Sequence, residues 1–345
     1  MISLLDSDFS QINSYILAQN PSKIFILCDE NTHNYCLPQF LANLETEIPF
    51  EILEIEAGEE MKTIETAAQL WSILAEFNAD RKALLINVGG GVITDIGGFV
   101  ASTYKRGISF VNIPTTLLAM ADASIGGKTG IDHGFLKNIV GTFATPPEIF
   151  AYPNFLITLP FAELRSGFAE MLKHGLIADR EHWELLSEIS ALTPENIAPH
   201  IKTSMNIKDE VVKEDFKEQN IRKTLNFGHT VGHAIESLFM ASNNLIPHGE
   251  AVALGMIIET KLAELEGLLL VQESEHIISR LNNFYPKLDI SNFSNESILA
   301  LMMNDKKNEE GNINFSLLTS IGSCNYDYKA TSENVEFALN FYKAM

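Results

Sequence analysis

Three of the nine histidines, His229, His233 and His248, lie within twenty residues of one another. If residues 230–240 form a helix, His229 and His233 project from the same face because they are four residues apart. Neutral imidazole is the commonest metal ligand and titrates near neutral pH, so this face could bind zinc or transfer protons. An isolated His-x-x-x-His pair on a helix surface is the ordinary alternative, which the third histidine beside Glu250 disfavours.

A catalytic zinc ion usually has three protein ligands, so a donor from another segment is needed. Glu170 is the best candidate, because it lies among apolar residues in the helical pattern of residues 164–175. A carboxylate in such a position is rarely buried without a partner. Lys173, one helical turn away, offers an ion pair as the alternative to metal binding.

A glycine-rich segment follows a predicted strand in the first half of the chain. Residues 83–88 have an apolar strand pattern, residues 89–91 are glycines, and residues 92–101 have a helical pattern. The glycines let backbone amides approach a ligand, and the helix start offers partial positive charge to phosphates. The segment therefore indicates a nucleotide pyrophosphate site, although it does not match G-x-G-x-x-G and glycine runs also form ordinary turns.

Two further polar segments follow the next predicted strand, residues 110–113. The hydroxyls of Thr115 and Thr116 could cap a helix or bind the same ligand. A lysine beside glycines, as in residues 126–129, indicates an anion contact. This segment resembles the end of a P-loop, but the full motif requires glycine where Asp122 stands, which argues against a nucleoside triphosphatase.

Taken together, these segments resemble the 3-dehydroquinate synthase family. The matching segments keep the family's order from about residue 58 to about residue 322, whereas the first fifty residues match weakly. They are residues 58–62, 89–95, 114–119, 122–130, 137–138, 155–160, 167–173, 222–236, 248–250 and 305–307. The chain departs from the family pattern at Ala123, Asp132 and Leu136, none of which is an implied ligand or catalytic position.

The resemblance implies a role for individual residues. It implies that Glu170, His229 and His248 are the zinc ligands and that His233 faces the substrate, so only one histidine of the predicted pair would bind the metal. The residues implied to surround the substrate are Asp122, Lys128, Asn138, Lys173, Lys208, Arg222, Asn226, His233 and either Lys306 or Lys307, with Lys208 placed by its distance before Arg222. The residues implied to bind NAD are Asp29, Glu59, Lys62, Gly90, Gly91, Val92, Asp95, Thr115, Thr116, Lys128, Lys137, Phe155 and Thr158.

The resemblance also implies the reaction, which is a step of the shikimate pathway. Family members are lyases that convert 3-deoxy-D-arabino-heptulosonate 7-phosphate to 3-dehydroquinate and phosphate, with NAD and Zn²⁺ as cofactors and Co²⁺ as an alternative metal. Oxidation of the C5 hydroxyl acidifies the C6 proton, phosphate is eliminated, the hydride returns, and an aldol step closes the ring. The alternative is an oxidoreductase, since metal- and NAD-dependent alcohol and glycerol dehydrogenases resemble the same architecture but release NADH.

Family members are commonly homodimers, which gives Arg106 an implied role. This arginine would contact the substrate phosphate of the neighbouring subunit. The alternative is that Lys105 and Arg106 form a solvated basic pair that meets the dipole of a helix end. The formal net charge is −21, so the chain as a whole would repel a phosphate. A further cation beside the phosphate would reduce this repulsion, which favours the first interpretation.

Composition predicts a globular cytoplasmic enzyme. The 345 residues allow two domains, no apolar run reaches transmembrane length, and the first 21 residues lack the basic segment and cleavage site of a secretory signal. The three scattered cysteines, Cys28, Cys36 and Cys324, favour free thiols in a reducing compartment. The acidic charge argues against nucleic-acid and anionic-membrane partners. The small phosphorylated sugar acid that the resemblance implies as the substrate is also an anion, so basic residues of the motifs would have to offset the acidic charge locally.

The predicted fold is α/β, with a Rossmann-like NAD-binding domain in residues 1–152 and a mainly helical metal- and substrate-binding domain in residues 153–345. Alternating strands and helices predict a parallel sheet with helices on both faces. The strands are expected at 23–28, 50–55, 83–88, 110–113 and 313–318, and the helices at 63–77, 92–101, 161–177, 180–189, 195–213, 230–240, 250–266 and 272–283. A ligand at the carboxyl ends of the strands would then lie in the cleft between the domains.

Overall fold

The computed structural model describes residues 1–134, 136–303 and 313–345, which form two compact units, Met1–Pro160 and Phe161–Met345. The domain boundary expected at residue 152 falls just before the short helical segment Pro153–Thr158, which lies in the first unit. Phe155 in this segment packs edge-on against two aromatic rings of the first unit. This contact holds the segment to the unit that precedes it.

The first unit is organised around a parallel sheet. Its strands are β1 (Ile2–Leu4), β2 (Ile24–Asp29), β3 (Phe50–Ile55), β4 (Leu84–Gly89), β5 (Ser109–Pro114), β6 (Lys128–His133), β7 (Leu136–Phe143) and β8 (Ile149–Ala151). The sheet has six parallel strands in the order β1-β8-β5-β4-β2-β3, while β6 and β7 pair as a separate antiparallel hairpin. The central strands β2 and β4 are almost wholly buried, as expected for a parallel sheet covered on both faces. The predicted parallel sheet is therefore confirmed, and the hairpin is an addition to it.

The helices of the first unit are α1 (Ser10–Gln19), α2 (Glu30–Tyr35), α3 (Leu37–Ala42), α4 (Ile64–Glu76) and α5 (Gly91–Thr103), with helical turns at Glu59–Met61, Tyr104–Arg106 and Ala119–Ala123. Helix α4 begins after Thr63, whose hydroxyl accepts a hydrogen bond from the Thr66 amide. Helix α5 packs against β4, β5 and β2 with most of its residues buried. Only Gly90 separates the end of β4 from the start of α5, so the helix begins at the carboxyl end of that strand.

The second unit is mainly helical, as predicted. Its elements are α6 (Phe161–Ala178), α7 (Arg180–Ser187), α8 (Pro194–Glu214), α9 (His229–Ala241), α10 (His248–Leu265), α11 (Val271–Phe284), α12 (Asn295–Met303), α13 (Ser332–Ala344), the helical turn Ile221–Asn226 and the antiparallel strands β9 (Phe315–Ser320) and β10 (Ser323–Tyr328). Helix α10 is buried on every face along most of its length, and it packs against α6, α9, α11 and α13. It is therefore the central helix of the unit.

No helix within residues 1–134, 136–303 and 313–345 combines the length and the apolar character needed to cross a membrane.

Candidate active site

Three helices of the second unit bring together the side chains expected to bind metal. Glu170 on α6 is buried, and its Oε1 lies 3.4 Å from Nε2 of His229 and 3.7 Å from Nε2 of His248. His229 and His248 are the first residues of α9 and α10. The ring nitrogens of His229, His233 and His248 lie within 4.8 Å of one another, so His233 joins the same cluster from the next turn of α9.

The other ring nitrogens of the two histidines are held by acceptors. Nδ1 of His248 lies 3.0 Å from Oε2 of Glu236, and Nδ1 of His229 lies 3.2 Å from the carbonyl oxygen of Phe227. A carboxylate and a carbonyl only accept, so each Nδ1 donates, and when the ring is neutral its Nε2 is the nitrogen that can bind a metal. One carboxylate oxygen and two imidazole nitrogens that converge in this way are a donor set that zinc prefers, so the residues fit a divalent metal ion.

Charge reinforces this arrangement. The buried ammonium of Lys173 forms an ion pair with Glu170 one turn earlier in α6. Burial would raise the pKa of Glu170, but Lys173 and the two histidines hold that pKa well below its ordinary value. Burial and the nearby Lys173 lower the pKa of His229, which favours the neutral, metal-binding form. Burial opposes protonation of His248 as well, but its hydrogen bond with Glu236 raises its pKa. The two alternatives for Glu170 are thus compatible, since it pairs with Lys173 and also faces the histidines.

Close packing fixes the relative positions of the three helices. An ideal Cβ atom added to Gly255 on α10 would lie 1.9 Å from the carbonyl oxygen of Gly228, and one added to Gly249 would lie 2.1 Å from the carbonyl oxygen of Ser166 on α6. Gly228 itself has φ of 80°, a left-handed conformation that favours glycine. The backbones therefore approach more closely than any side chain would permit.

Buried cations lie in the segments around this cluster. Lys173 on α6, Lys208 on α8 and Arg222 in the turn Ile221–Asn226 are all buried, and these three segments pack against one another. Nη1 of Arg222 donates to the carbonyl oxygen of Phe216 at 2.7 Å. The fold thus collects three basic side chains of a strongly acidic chain in one region of the second unit.

The loop before Arg222 is organised by carboxylates that sequence analysis did not single out. Asp215 accepts hydrogen bonds from the amides of Gln219, Asn220 and Arg222 at 3.0, 2.6 and 3.2 Å. Burial would raise the pKa of Asp215, but these hydrogen bonds lower it. Glu218 accepts a hydrogen bond of 2.9 Å from Nδ2 of Asn226, one of the implied substrate residues. A sequence signal existed only in the density of acidic residues at 209–218, which is ordinary for an exposed segment.

A second buried carboxylate was missed on α10. Glu259 is completely buried and accepts hydrogen bonds from the amides of Gly228 at 2.6 Å and Val231 at 3.0 Å, at the start of α9. An acidic residue within the apolar pattern of residues 251–263 was the available signal. That pattern does not reveal which backbone amides the carboxylate binds.

In the first unit, the glycine turn lies where a nucleotide phosphate could bind. Gly90 is the N-cap residue of α5 and provides no side-chain hydrogen bond to the first turn. The Thr115 amide donates to the Gly89 carbonyl oxygen at 3.0 Å, and a Cβ atom on Gly90 would lie 3.0 Å from Cγ2 of Thr116. The first-turn amides of α5 thus have no side-chain cap, and Thr115 and Thr116 lie beside them. This cradle of amides and hydroxyls fits the pyrophosphate of a dinucleotide.

Lys62 connects several of the residues implied to bind NAD and substrate. Its buried Nζ lies 2.9 Å from Oδ2 of Asp95, 2.6 Å from Oδ1 of Asn138 and 3.5 Å from Oε1 of Glu59. Burial would lower the pKa of Lys62, but the carboxylates raise it. The Asn138 amide donates to Asp132 at 2.7 Å, which gives a role to one of the positions that departs from the family pattern.

The remaining implied residues are distributed over the first unit. Asp29 is the N-cap of α2, Val92 lies in the first turn of α5, and Asp122 lies in the turn Ala119–Ala123. Lys128 and Lys137 are exposed on β6 and β7, and the Thr158 hydroxyl donates to the Phe155 carbonyl oxygen at 3.2 Å. Lys306 and Lys307 lie outside the described residues.

Arg106 and Lys105 have different surroundings. Nζ of Lys105 donates to the carbonyl oxygen of Ala79 at 2.5 Å and lies 5.5 Å from the centre of the Tyr104 ring. Arg106 is exposed and has φ of 67°. Lys105 is exposed as well and has φ of 50°, so the two residues differ in the hydrogen bond and ring contact of Lys105.

Two family models match successive parts of the chain: 3-dehydroquinate synthase N-terminal over residues 52–166 and 3-dehydroquinate synthase C-terminal over residues 167–308. The 3-dehydroquinate synthase of Parabacteroides distasonis is 40% identical over 340 residues, covering 97% of this chain and 95% of that protein. The structure of ValA, the 2-epi-5-epi-valiolone synthase from Streptomyces hygroscopicus subsp. jinggangensis 5008 with NAD⁺ and Zn²⁺ bound, has a TM-score of 0.88 and 28% identity, covering 100% of this chain and 96% of that chain. The structure of a 2-deoxy-scyllo-inosose synthase complexed with carbaglucose-6-phosphate, NAD⁺ and Co²⁺ has a TM-score of 0.85 and 26% identity, covering 98% of this chain and 95% of that chain.

Proposed function

The chain belongs to the 3-dehydroquinate synthase family, and from this premise we propose how its own residues share the work of that reaction. It is an NAD- and metal-dependent lyase that converts 3-deoxy-D-arabino-heptulosonate 7-phosphate to 3-dehydroquinate and phosphate. The observation that carries the assignment of residues is the convergence of Glu170, His229 and His248 beside a buried lysine.

We assign metal binding to Glu170, His229 and His248. When bound there, a divalent ion such as Zn²⁺ or Co²⁺ supplies Lewis acidity to a substrate hydroxyl. Glu236 and the Phe227 carbonyl group hold the imidazole rings in the orientation that presents Nε2. The second unit would thus supply the Lewis acid for the first chemical step, the oxidation of the C5 hydroxyl.

We assign substrate binding to the buried cations of the same unit. Lys173, Lys208 and Arg222 offer positive charge to the carboxylate and phosphate of the substrate, which a chain of net charge −21 would otherwise repel. Asn226 and His233 would donate or accept hydrogen bonds with the hydroxyl groups. Once C5 is a ketone, the adjacent C6 proton is acidic and phosphate can leave, and the later ring closure needs little from the protein beyond positioning.

We assign NAD binding to the first unit. NAD, when bound, supplies a reversible hydride acceptor that is regenerated in each turnover. The amides at the start of α5 and the hydroxyls of Thr115 and Thr116 would hold its pyrophosphate, and the Lys62 cluster would position neighbouring groups. Asp122, Lys128 and Asn138 of the first unit are also proposed to bind the substrate. The same role remains a prediction for Lys306, which lies outside the described residues.

We further propose a homodimer in the cytoplasm. Exposure leaves Arg106 accessible to the substrate phosphate of a second subunit, and its exposed neighbour Lys105 donates to the carbonyl oxygen of Ala79. The three free cysteines, two of them buried, support a reducing compartment.

The function is tested by incubating purified protein with the substrate, NAD and Zn²⁺. Released phosphate should equal the 3-dehydroquinate detected by mass, with no net NADH absorbance and with only catalytic amounts of NAD required. Stoichiometric NADH would instead indicate a dehydrogenase of the same fold.

A further inference from the structure

Glu259 is a fully buried carboxylate that the reaction as described does not use. It lies on α10, and its two oxygens accept hydrogen bonds from the Gly228 and Val231 amides at 2.6 and 3.0 Å. These two amides flank His229 at the beginning of α9. A side chain of one helix therefore caps another helix at the residue that faces Glu170.

Helix α9 has no cap of its own. Its N-cap residue is Gly228, which has no side chain to accept hydrogen bonds from the first-turn amides. Gly228 and Val231 are both buried, so water does not readily replace a missing acceptor. Without Glu259, these buried amides would lose the acceptors they have.

Packing explains why the cap is supplied from another helix. A Cβ atom on Gly228 would lie 2.5 Å from Cγ of Met256 and 2.9 Å from the carbonyl oxygen of Val252, so a serine or aspartate does not fit at the N-cap position. The close approach of α9 and α10 thus removes the local cap and at the same time brings Glu259 within reach. The close approach of α9 and α10 therefore explains both the histidine cluster and the cap supplied from another helix.

We propose that Glu259 is a positioning residue for the metal site. It fixes the first turn of α9, and with it Nε2 of His229, and its negative charge offsets the partial positive charge of the helix start. His229, the first residue of α9, faces Glu170, which pairs with Lys173, so an uncompensated helix start would add positive charge beside the residues assigned to the metal. The inference rests on the metal site assigned above. Loss of an outer residue that orients a ligand typically weakens metal binding about 10- to 100-fold.

Glu266, the C-cap residue of α10, provides a matched control. It follows α10 directly and accepts hydrogen bonds from the Thr331 amide at 2.9 Å and from Nδ2 of Asn334 at 3.0 Å, at the start of α13. Glu266 is therefore also a carboxylate that caps another helix, but α13 carries none of the proposed metal ligands. Glu266→Gln should affect stability without affecting metal binding.

The experiment compares the wild-type chain with Glu259→Gln, Glu259→Asp and Glu266→Gln. Each protein is freed of metal with a chelator and titrated with Co²⁺, whose visible absorption reports ligand geometry, and thermal unfolding of the metal-free proteins is recorded in parallel. Glu259→Gln should weaken Co²⁺ binding about 10- to 100-fold and alter the absorption band. Glu259→Asp, which retains the charge, should weaken it less, and Glu266→Gln should match wild type.

If Glu259→Gln binds Co²⁺ with wild-type affinity and spectrum, Glu259 does not position the site, whereas a wild-type chain that binds no Co²⁺ would refute the assigned metal site itself. If Glu259→Gln fails to fold, Glu259→Asp carries the test: weaker Co²⁺ binding than in Glu266→Gln supports the positioning role, and equal binding overturns it. Failure of both Glu259 variants to fold, with Glu266→Gln folded, would make Glu259 a structural residue only and overturn the proposal.

Discussion

Replacing Gly255 with alanine should damage the metal site without altering any ligand. The new Cβ atom would lie 1.9 Å from the Gly228 carbonyl oxygen, whereas ordinary contacts begin at 3.4 Å, so α9 and α10 would have to separate locally by about 1.5 Å. Gly228 immediately precedes His229, and Gly255 lies two turns after His248 on α10. The displacement therefore acts directly on the distance between the two histidines.

The size of this displacement predicts the effect on metal binding. Binding sites tolerate displacements of only about 0.5 Å from the productive geometry. A shift about three times as large should lower metal affinity by at least about tenfold. Over-packing of a buried contact should also cost about 1–3 kcal/mol of the free energy of unfolding.

A second glycine separates these two effects. Gly267 has φ of 71° and no atom within 4 Å of an added Cβ, so Gly267→Ala should cost about 1–2 kcal/mol through backbone strain alone. Co²⁺ titration and thermal unfolding of both metal-free variants make the comparison. Gly255→Ala should lose metal affinity and Gly267→Ala should retain it. Equal, wild-type affinity in both variants would refute the argument that helix spacing sets the site.

Other predictions concern pH, NAD and assembly. Burial lowers the pKa of His182 to about 4, with Asp179 opposing and His200 adding to the shift, so unfolded chains bind more protons between pH 4 and 6.5. The contribution of His182 to the free energy of unfolding should be fully present above pH 6.5 and should fall by up to about 3 kcal/mol as the pH drops to 4. In urea unfolding, the free energy of unfolding of His182→Gln should therefore depend less steeply on pH than that of the wild type. An unchanged pH dependence would contradict the assignment. Lys62→Met should weaken NAD binding about tenfold in calorimetry by releasing Asp95, with metal content unchanged; unaltered NAD affinity would exclude a role in the cofactor site. Mixing Arg106→Ala protein with protein inactivated at Lys128 should restore part of the activity as mixed dimers regain one intact site, and a fully active monomer in sedimentation would rule out the shared site.

Much of the fold follows from local sequence patterns. The strands β2 to β5 and the helices α4 to α11 arise from apolar periodicity and chain punctuation, which depend on neighbours within a few residues. The hairpin of β6 and β7 was not predicted, because its pairing depends on contacts between strands rather than on the periodicity of either strand. The same distinction separates the predicted glycine turn, which is local, from the Lys62 cluster, where residues 76 positions apart make contact.

The sequence by itself determined the chemical types at the site, namely two helical histidines in one motif, a third beside Glu250 and an acidic residue in an apolar helix. Four-residue spacing alone favoured His229 with His233. Only the tertiary structure brought Glu170 within 4 Å of both His229 and His248, and only it revealed Glu259 as the cap of α9. The physical reason is that ligand geometry and distant capping depend on how closely helices cross. That distance is set by glycines and backbone atoms far apart in the chain, and periodicity within a single helix carries no information about it.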